Sequence, residues 1–320
     1  MRRRQVLGAA GLAATGLLGV GCASRLPEGL DVHELSWFDT QRDRPVLARL
    51  TMPIALNPSS TLPLVVISPG IGSNREGYSY LAGGLAQRGW ACLNVEHVGS
   101  NRQVWWGNPW GLVGRLQHAA RDEEALARVQ DLRFALDQVL GAPVWRGRLD
   151  AERVVGAGHS YGANTLMLAA GADVKRQARI LSLREPRLKA VVLMSAPPFY
   201  GEADLPAVVG GISVPNLHIT TTEDVIKIPG YVSPVKDRLA LYQHMGGPHK
   251  GLLVFKGGSH SIFTDRSAPG GFGHNAQVKE ATTEISHLWL AAALRGQAPS
   301  AADLHIWRSQ YAAAVERLEL

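Results

Sequence analysis

The sequence predicts an α/β fold with a mostly parallel central sheet and helices on both faces. Short apolar runs recur at 64–68, 90–95, 153–157, 190–195, 216–221 and 251–255, as strands buried on both faces read. Segments with helical spacing stand between or after them, at 78–88, 121–140 and 160–170, the alternation that βαβ units produce. The 35 Gly and 18 Pro residues punctuate these runs rather than forming a low-complexity tract, so they mark turns.

In chain order, 33–39 and 45–52 flank the polar Gln41-Arg42-Asp43-Arg44 and predict a hairpin. The 64–68 strand follows, and Gly89 closes the 78–88 helix. After the 90–95 strand, 99–117 has no clear period. The strongly amphipathic segment 121–140 leads to the 153–157 strand and the small-residue helix 160–170. Two closing helices are predicted at 278–294 and 301–318. No repeat and no linker interrupts the chain, so 23–320 is expected to form one α/β domain, and 320 residues suffice for a large core.

Apolar residues make up 46% and charged residues 19% of the chain, a globular balance. Half of the formal charge of +6 is the run Arg2-Arg3-Arg4, and no later Lys/Arg block exists. A nucleic-acid partner is therefore not expected. Residues 1–22 join a basic start to a Gly/Ala/Leu-rich segment and a Cys, the layout of an export signal. The apolar run is shorter than the ~20 residues that span a bilayer. Arg3-Arg4-Gln5-Val6-Leu7 resembles a twin-arginine motif, and Leu18-Gly19-Val20-Gly21-Cys22 resembles a lipobox with Gly19 in the position that prefers Leu. The expectation is an exported, periplasm-facing protein, either lipid-anchored through Cys22 or cleaved and soluble. Cys92 is then left alone in an apolar strand, as a small core residue.

Gly158-His159-Ser160-Tyr161-Gly162 fits G-x-S-x-G between a strand and a helix. So tight a turn strains the backbone of Ser160, and side chains at 158 and 162 would collide with neighbouring backbone. Ser160 would stand at a helix N-terminus, whose free N–H groups favour developing negative charge. A competing dinucleotide-binding reading, Gly156-x-Gly158-x-x-x-Gly162, has its last glycine one place late.

A serine nucleophile needs a base. Of eleven histidines, His260 lies in the loop Lys256-Gly257-Gly258-Ser259-His260 directly after an apolar strand. His244, His249 and His274 are alternatives, His287 falls in a helical pattern, and His159 is too close to Ser160 in the chain to serve. The acid that orients the base is Asp224 after the 216–221 strand, with Glu223 as runner-up. The oxyanion hole is assigned to the N–H groups of Tyr161 and of Ile71, in the Pro69-Gly70-Ile71-Gly72 loop.

VVISPGIGSNREGYSYLAGGLAQRGW, NVEHVGSN, RVQDLRFALDQVL, GHSYGA, PRLKAVVLMSAPP, ITTTED and GGSHS occur in this order between 62 and 294. Together they resemble the dienelactone-hydrolase-like branch of the α/β-hydrolases, similar to platelet-activating-factor acetylhydrolases and cutinase-like polyester hydrolases. The resemblance implies the α/β-hydrolase fold, a Ser/Asp/His triad, ester substrates, and no cofactor or metal. The chain departs from the polyester hydrolases in carrying Ile71 where they place an aromatic residue and in lacking a C-terminal disulfide. It departs from dienelactone hydrolases in carrying Ser160 rather than Cys.

Trp105, Trp106 and Trp110 lie in the 99–117 segment. They read either as a lid or pocket wall that contacts substrate or as anchors of a loop to the core. Phe199 and Tyr200 are similar candidates for the pocket, and His97 is a structural or site residue. No metal-ligand spacing such as H-E-x-x-H occurs. The reading is a serine hydrolase acting on a small-molecule or lipid-like ester. The same machinery used on amides, peptides or polyesters, and a lipoprotein that binds ligand without catalysis, remain as rivals.

Overall fold

The computed structural model describes residues 28–54, 61–176, 179–228, 231–266 and 272–320. The export signal and Cys22 lie outside the described residues. The strands are β1 (Leu30–Asp39), β2 (Arg44–Pro53), β3 (Leu62–Ser68), β4 (Ala91–Glu96), β5 (Leu149–His159), β6 (Asp173–Arg176), β7 (Arg179–Ser182), β8 (Leu188–Met194), β9 (Asn216–Thr221), β10 (Ile226–Ile228), β11 (Tyr231–Ser233), β12 (Lys250–Phe255) and β13 (Val315–Glu319). The helices are α1 (Ser79–Ala86), α2 (Leu112–Ala119), α3 (Asp122–Gly141), α4 (Tyr161–Ala170), α5 (Leu205–Val209), α6 (Val235–His244), α7 (Phe272–Ala293) and α8 (Ala301–Tyr311).

Nine strands form one sheet in the order β1-β2-β4-β3-β5-β8-β9-β12-β13. From β4 to β12 neighbouring strands run parallel. The β1–β2 hairpin and β13 add antiparallel edges. Alternate side chains of a strand point to opposite faces, and each face is apolar here. Leu64 and Val66 of β3 pack with α3 and α4 through Val129, Leu132, Leu136, Leu166 and Met167. Val65 and Ile67, between them, pack with α1, α7 and α8 through Leu81, Leu85, Ile285, Trp289 and Trp307. Both faces of β3 are therefore dry.

The structure corrects the reading of 301–318 as one helix. The α8 helix stops at Tyr311, a short 3-10 turn covers Ala312–Ala314, and β13 pairs with β12 with Leu318 opposite Leu253. Helix-forming alanines lead into this segment, but pairing along the free edge of β12 outweighs that local preference. The edge strand keeps Glu316 and Arg317 exposed, as an outer strand needs. The aperiodic 99–117 segment holds two 3-10 turns and α2, with the Asn101 and Asn108 side chains accepting from the N–H groups of Gln103 and Trp110. The β6–β7 and β10–β11 hairpins, α5 and α6 were not anticipated from the sequence pattern.

Candidate active site

Loops at the carboxyl ends of β3, β5, β9 and β12 converge on one point, the usual place for a ligand in an open parallel sheet. Ser160 caps α4 with φ 54° and ψ −121°. A non-glycine residue held there stores roughly 1–3 kcal/mol. What holds it is visible in the two glycines of the motif. A Cβ on Gly158 would lie 2.5 Å from the Gly162 carbonyl oxygen, and one on Gly162 would run into the Ser68 carbonyl oxygen. The Ser160 N–H is tied to the Met194 carbonyl at 2.9 Å. The turn presents Ser160 Oγ 2.8 Å from His260 Nε2, and His260 Nδ1 lies 2.8 Å from Asp224 Oδ1.

Asp224 is fully buried. Its second oxygen accepts from Thr220 Oγ1 at 2.7 Å and faces Arg238 Nε at 3.4 Å. Burial alone would raise its pKa. The His260 hydrogen bond, the His260 charge and the Arg238 charge outweigh burial and hold the carboxyl below the usual carboxylate range. Asp224 therefore stays ionised and can fix His260 with its proton on Nδ1. Glu223 is exposed, and His244 and His249 are exposed at the opposite end of β12. His287 accepts from Trp90 Nε1 at 2.9 Å, and His274 falls within α7. His97 is buried behind β3, between Ser68 Oγ at 3.0 Å and Asp131 Oδ2 at 3.1 Å.

The Ile71 and Tyr161 N–H groups have no acceptor among the described residues, and both residues line the cleft over Ser160. Tyr161 opens α4, where an N–H is left free by the helix itself. The neighbouring Gly70 N–H is occupied, since it donates to Tyr78 Oη at 3.0 Å.

That bond begins a chain whose direction is fixed by its ends. Gly70 N–H can only donate and the His260 carbonyl can only accept. Tyr78 O–H therefore donates to His159 Nδ1 at 2.9 Å, and His159 Nε2–H donates to the His260 carbonyl at 3.0 Å. The His159 and His260 rings lie with centroids 4.8 Å apart. Burial, then the His260 charge, lowers the pKa of His159 and keeps it neutral. The elbow histidine thus ties the β3 loop, which carries Gly70 and Ile71, to the loop that carries His260. Tyr78→Phe should leave the Gly70 N–H and His159 Nδ1 unpaired in the interior. The expected loss is about 1–3 kcal/mol, read as a lower urea midpoint at unchanged slope. An unchanged midpoint would contradict the strut.

A second brace comes from α3. Arg128 is buried and donates to Thr165 Oγ1 at 2.8 Å, Ser100 Oγ at 2.7 Å and the Pro69 carbonyl, with its guanidinium 4.4 Å from the Tyr161 ring centroid. It links the loop after β3 to the first turn of α4. Nothing local in the sequence signals Arg128, Arg238, Tyr78 or Thr220. Each reads as an ordinary helix, cap or strand residue until distant elements are brought together.

The cleft has a volume of about 2000 Å³ and is lined by Trp105, Tyr161, Phe199, Tyr200 and Tyr231 around Ser160 and His260. Of the three tryptophans expected to touch substrate, Trp105 lines it, anchored by Nε1–H to the Gly72 carbonyl at 2.8 Å. Trp106 and Trp110 do not. Trp106 caps the 3-10 turn that ends at Trp105, Trp110 lies in the next turn, and they are 64% and 93% exposed. Among the described residues no cluster of His, Cys, Asp and Glu could hold a metal ion, and no helix is long and apolar enough to cross a membrane. Cys92 is buried in β4, and burial raises the pKa of its thiol.

No protein-family profile and no curated protein matches the chain. Among solved structures, a ferulic acid esterase from Streptomyces cinnamoneus superposes with a TM-score of 0.56 at 21% identity, over 89% of this chain and 96% of that one. The chain has the α/β-hydrolase fold. In α/β-hydrolase terms, Ser160 sits on the elbow after β5, Asp224 follows β9, His260 follows β12, and the β3 loop supplies Ile71.

Proposed function

We propose that the protein is an exported serine hydrolase that cleaves carboxylic esters through an acyl-enzyme. The observation that carries the reading is the unbroken line of hydrogen bonds from Ser160 Oγ through His260 to buried Asp224, at the floor of an open cleft with aromatic side chains in its wall. In this reading His260 takes the Ser160 proton as Oγ attacks the ester carbonyl. The N–H groups of Ile71 and Tyr161 receive the oxyanion, and one such donor is typically worth ~2.7–4 kcal/mol of barrier. His260, now charged and facing Asp224, gives the proton to the leaving alcohol. Water then gives a proton to His260 as it attacks the acyl carbon, the bond to Oγ breaks, and His260 returns the proton to Ser160 Oγ as the acid is released.

The fold neighbour is named as an esterase, and the ordered motifs between 62 and 294 resemble the dienelactone-hydrolase-like and acetylhydrolase branch. Both favour an ester over an amide. Residues 1–22 support export, with Cys22 as a lipid attachment point. A panel of p-nitrophenyl esters of rising acyl length, beside the matched anilides, tests the reading. Ester turnover well above anilide turnover is expected, with a preference for acyl groups that fill the aromatic wall of Trp105 and Phe199. Faster anilide cleavage would make the protein an amidase, and no turnover at all would leave a ligand-binding protein.

A further inference from the structure

Between His97 and Arg121 the chain carries three tryptophans and three arginines and neither Asp nor Glu. This segment leaves the sheet after β4 and builds a small core of its own from Val104, Leu116 and Ala119, packed on Ile71 and Leu112. It is held in one shape. Arg115 donates to the Val104 and Asn108 carbonyls at 2.9 and 3.0 Å, Asn101 and Asn108 cap the two 3-10 turns, and Trp105 is pinned to Gly72. Yet this well-braced segment leaves Trp110 93%, Trp106 64% and Val113 37% exposed. Indole rings held out in water on a rigid support are the reverse of what packing alone produces.

Within the segment itself the charges have one sign, while Glu76, Asp122, Glu123 and Asp265 line the cleft beside it. Among the described residues Arg121 and Arg115 have no carboxylate partner, and Arg102 meets Glu76 only at 3.7 Å. Arg266, also without one, holds its guanidinium 5.6 Å from the Trp105 ring centroid at the mouth of the cleft. Amphipathic indoles seated at headgroup level, flanked by cations that meet lipid phosphates, are the chemistry of an anionic membrane interface.

We infer that this face docks on an anionic phospholipid surface, with Trp106 and Trp110 entering the headgroup region and the arginines meeting phosphates. Trp105, Arg102 and Arg121 also line the cleft, so docking sets its mouth beside the lipid. The inference is independent of the ester-hydrolase reading, because docking is read without turnover.

The test uses the full chain carrying Cys22→Ser, so that no lipid is attached. Vesicles of phosphatidylglycerol mixed with phosphatidylcholine are compared with phosphatidylcholine alone, both with brominated acyl chains. Residues 1–22 contain no tryptophan, so quenching of indole fluorescence reports the folded chain and not the leader. The expected result is quenching on the anionic vesicles that weakens with salt, and a partition coefficient at least about tenfold lower in Trp106→Ala/Trp110→Ala. The urea midpoint of that double variant should match wild type, since both side chains are exposed. Three results would overturn the inference. One is absence of quenching. Another is equal quenching in the double variant. The last is a concentration-dependent dimer, seen by sedimentation, that the double variant abolishes while vesicle binding is unchanged.

Discussion

Asp224→Asn should lower kcat/KM for the best ester at neutral pH by about 10⁴-fold, or roughly 5.5 kcal/mol of barrier. The argument is one of proton placement. Asp224 Oδ1 can only accept, so His260 must carry its hydrogen on Nδ1 and turn a lone pair toward Ser160. An asparagine amide can donate to Nδ1 instead, which moves the ring hydrogen to Nε2 and leaves Ser160 without a base. The substitution also removes the charge that faces Arg238 at 3.4 Å, and it leaves a buried cation uncompensated. A smaller urea midpoint should therefore accompany the rate loss. A rate within tenfold of wild type would mean that Asp224 does not orient the base.

The second large effect is acid sensitivity that begins well above the carboxylate range. His97, His159 and His218 are all buried. Burial, then the Arg128 charge, lowers the pKa of His97 to about 3. Burial, then Lys250, lowers His218 to about 3, and His159 is lowered in the same way by burial and His260. In the unfolded chain each titrates near ~6.5. Each folded value lies below its unfolded value, so from about 6.5 down toward 3 the unfolded state binds protons that the fold refuses. The stability these groups give is complete above ~6.5 and is lost as the pH falls. Three such protons correspond to a slope of roughly 4 kcal/mol per pH unit, against a total stability of order 5–15 kcal/mol. The urea midpoint should fall steeply between pH 6 and pH 5 on the way to acid unfolding near ~4–5. Asp131 adds to this only at lower pH. Burial would raise its pKa, but bonds from His97 and Arg44 hold it at about 2. A midpoint flat from pH 7 to pH 5 would mean that these histidines are hydrated or charged in the fold.

Much of this architecture is legible in the sequence because its parts are local. Strands buried on both faces must be apolar throughout, so 64–68, 216–221 and 251–255 stand out and lie within β3, β9 and β12. The elbow is legible because the strain at Ser160 is tolerated only beside Gly158 and Gly162. Asp224 and His260 can be singled out because each follows such a strand at once. The supporting residues are not legible, because their meaning is non-local. Arg238 carries no local signal until α6 packs it against Asp224, and Arg128 carries none until α3 lays it under Pro69. Helix spacing misleads at β13, where an open sheet edge decides the conformation. The tryptophans show that composition can locate a segment without orienting it, since the wall residue Trp105 ends one 3-10 turn and the outward Trp110 lies in the next.

The central claim is that Ser160 is a nucleophile activated by His260. The most direct measurement is treatment of the folded protein with a fluorophosphonate, followed by mass analysis of the labelled peptide, beside Ser160→Ala. The account predicts a single adduct on Ser160, formed in step with loss of ester turnover and absent from the variant. No adduct, or an equal adduct in Ser160→Ala, would contradict it.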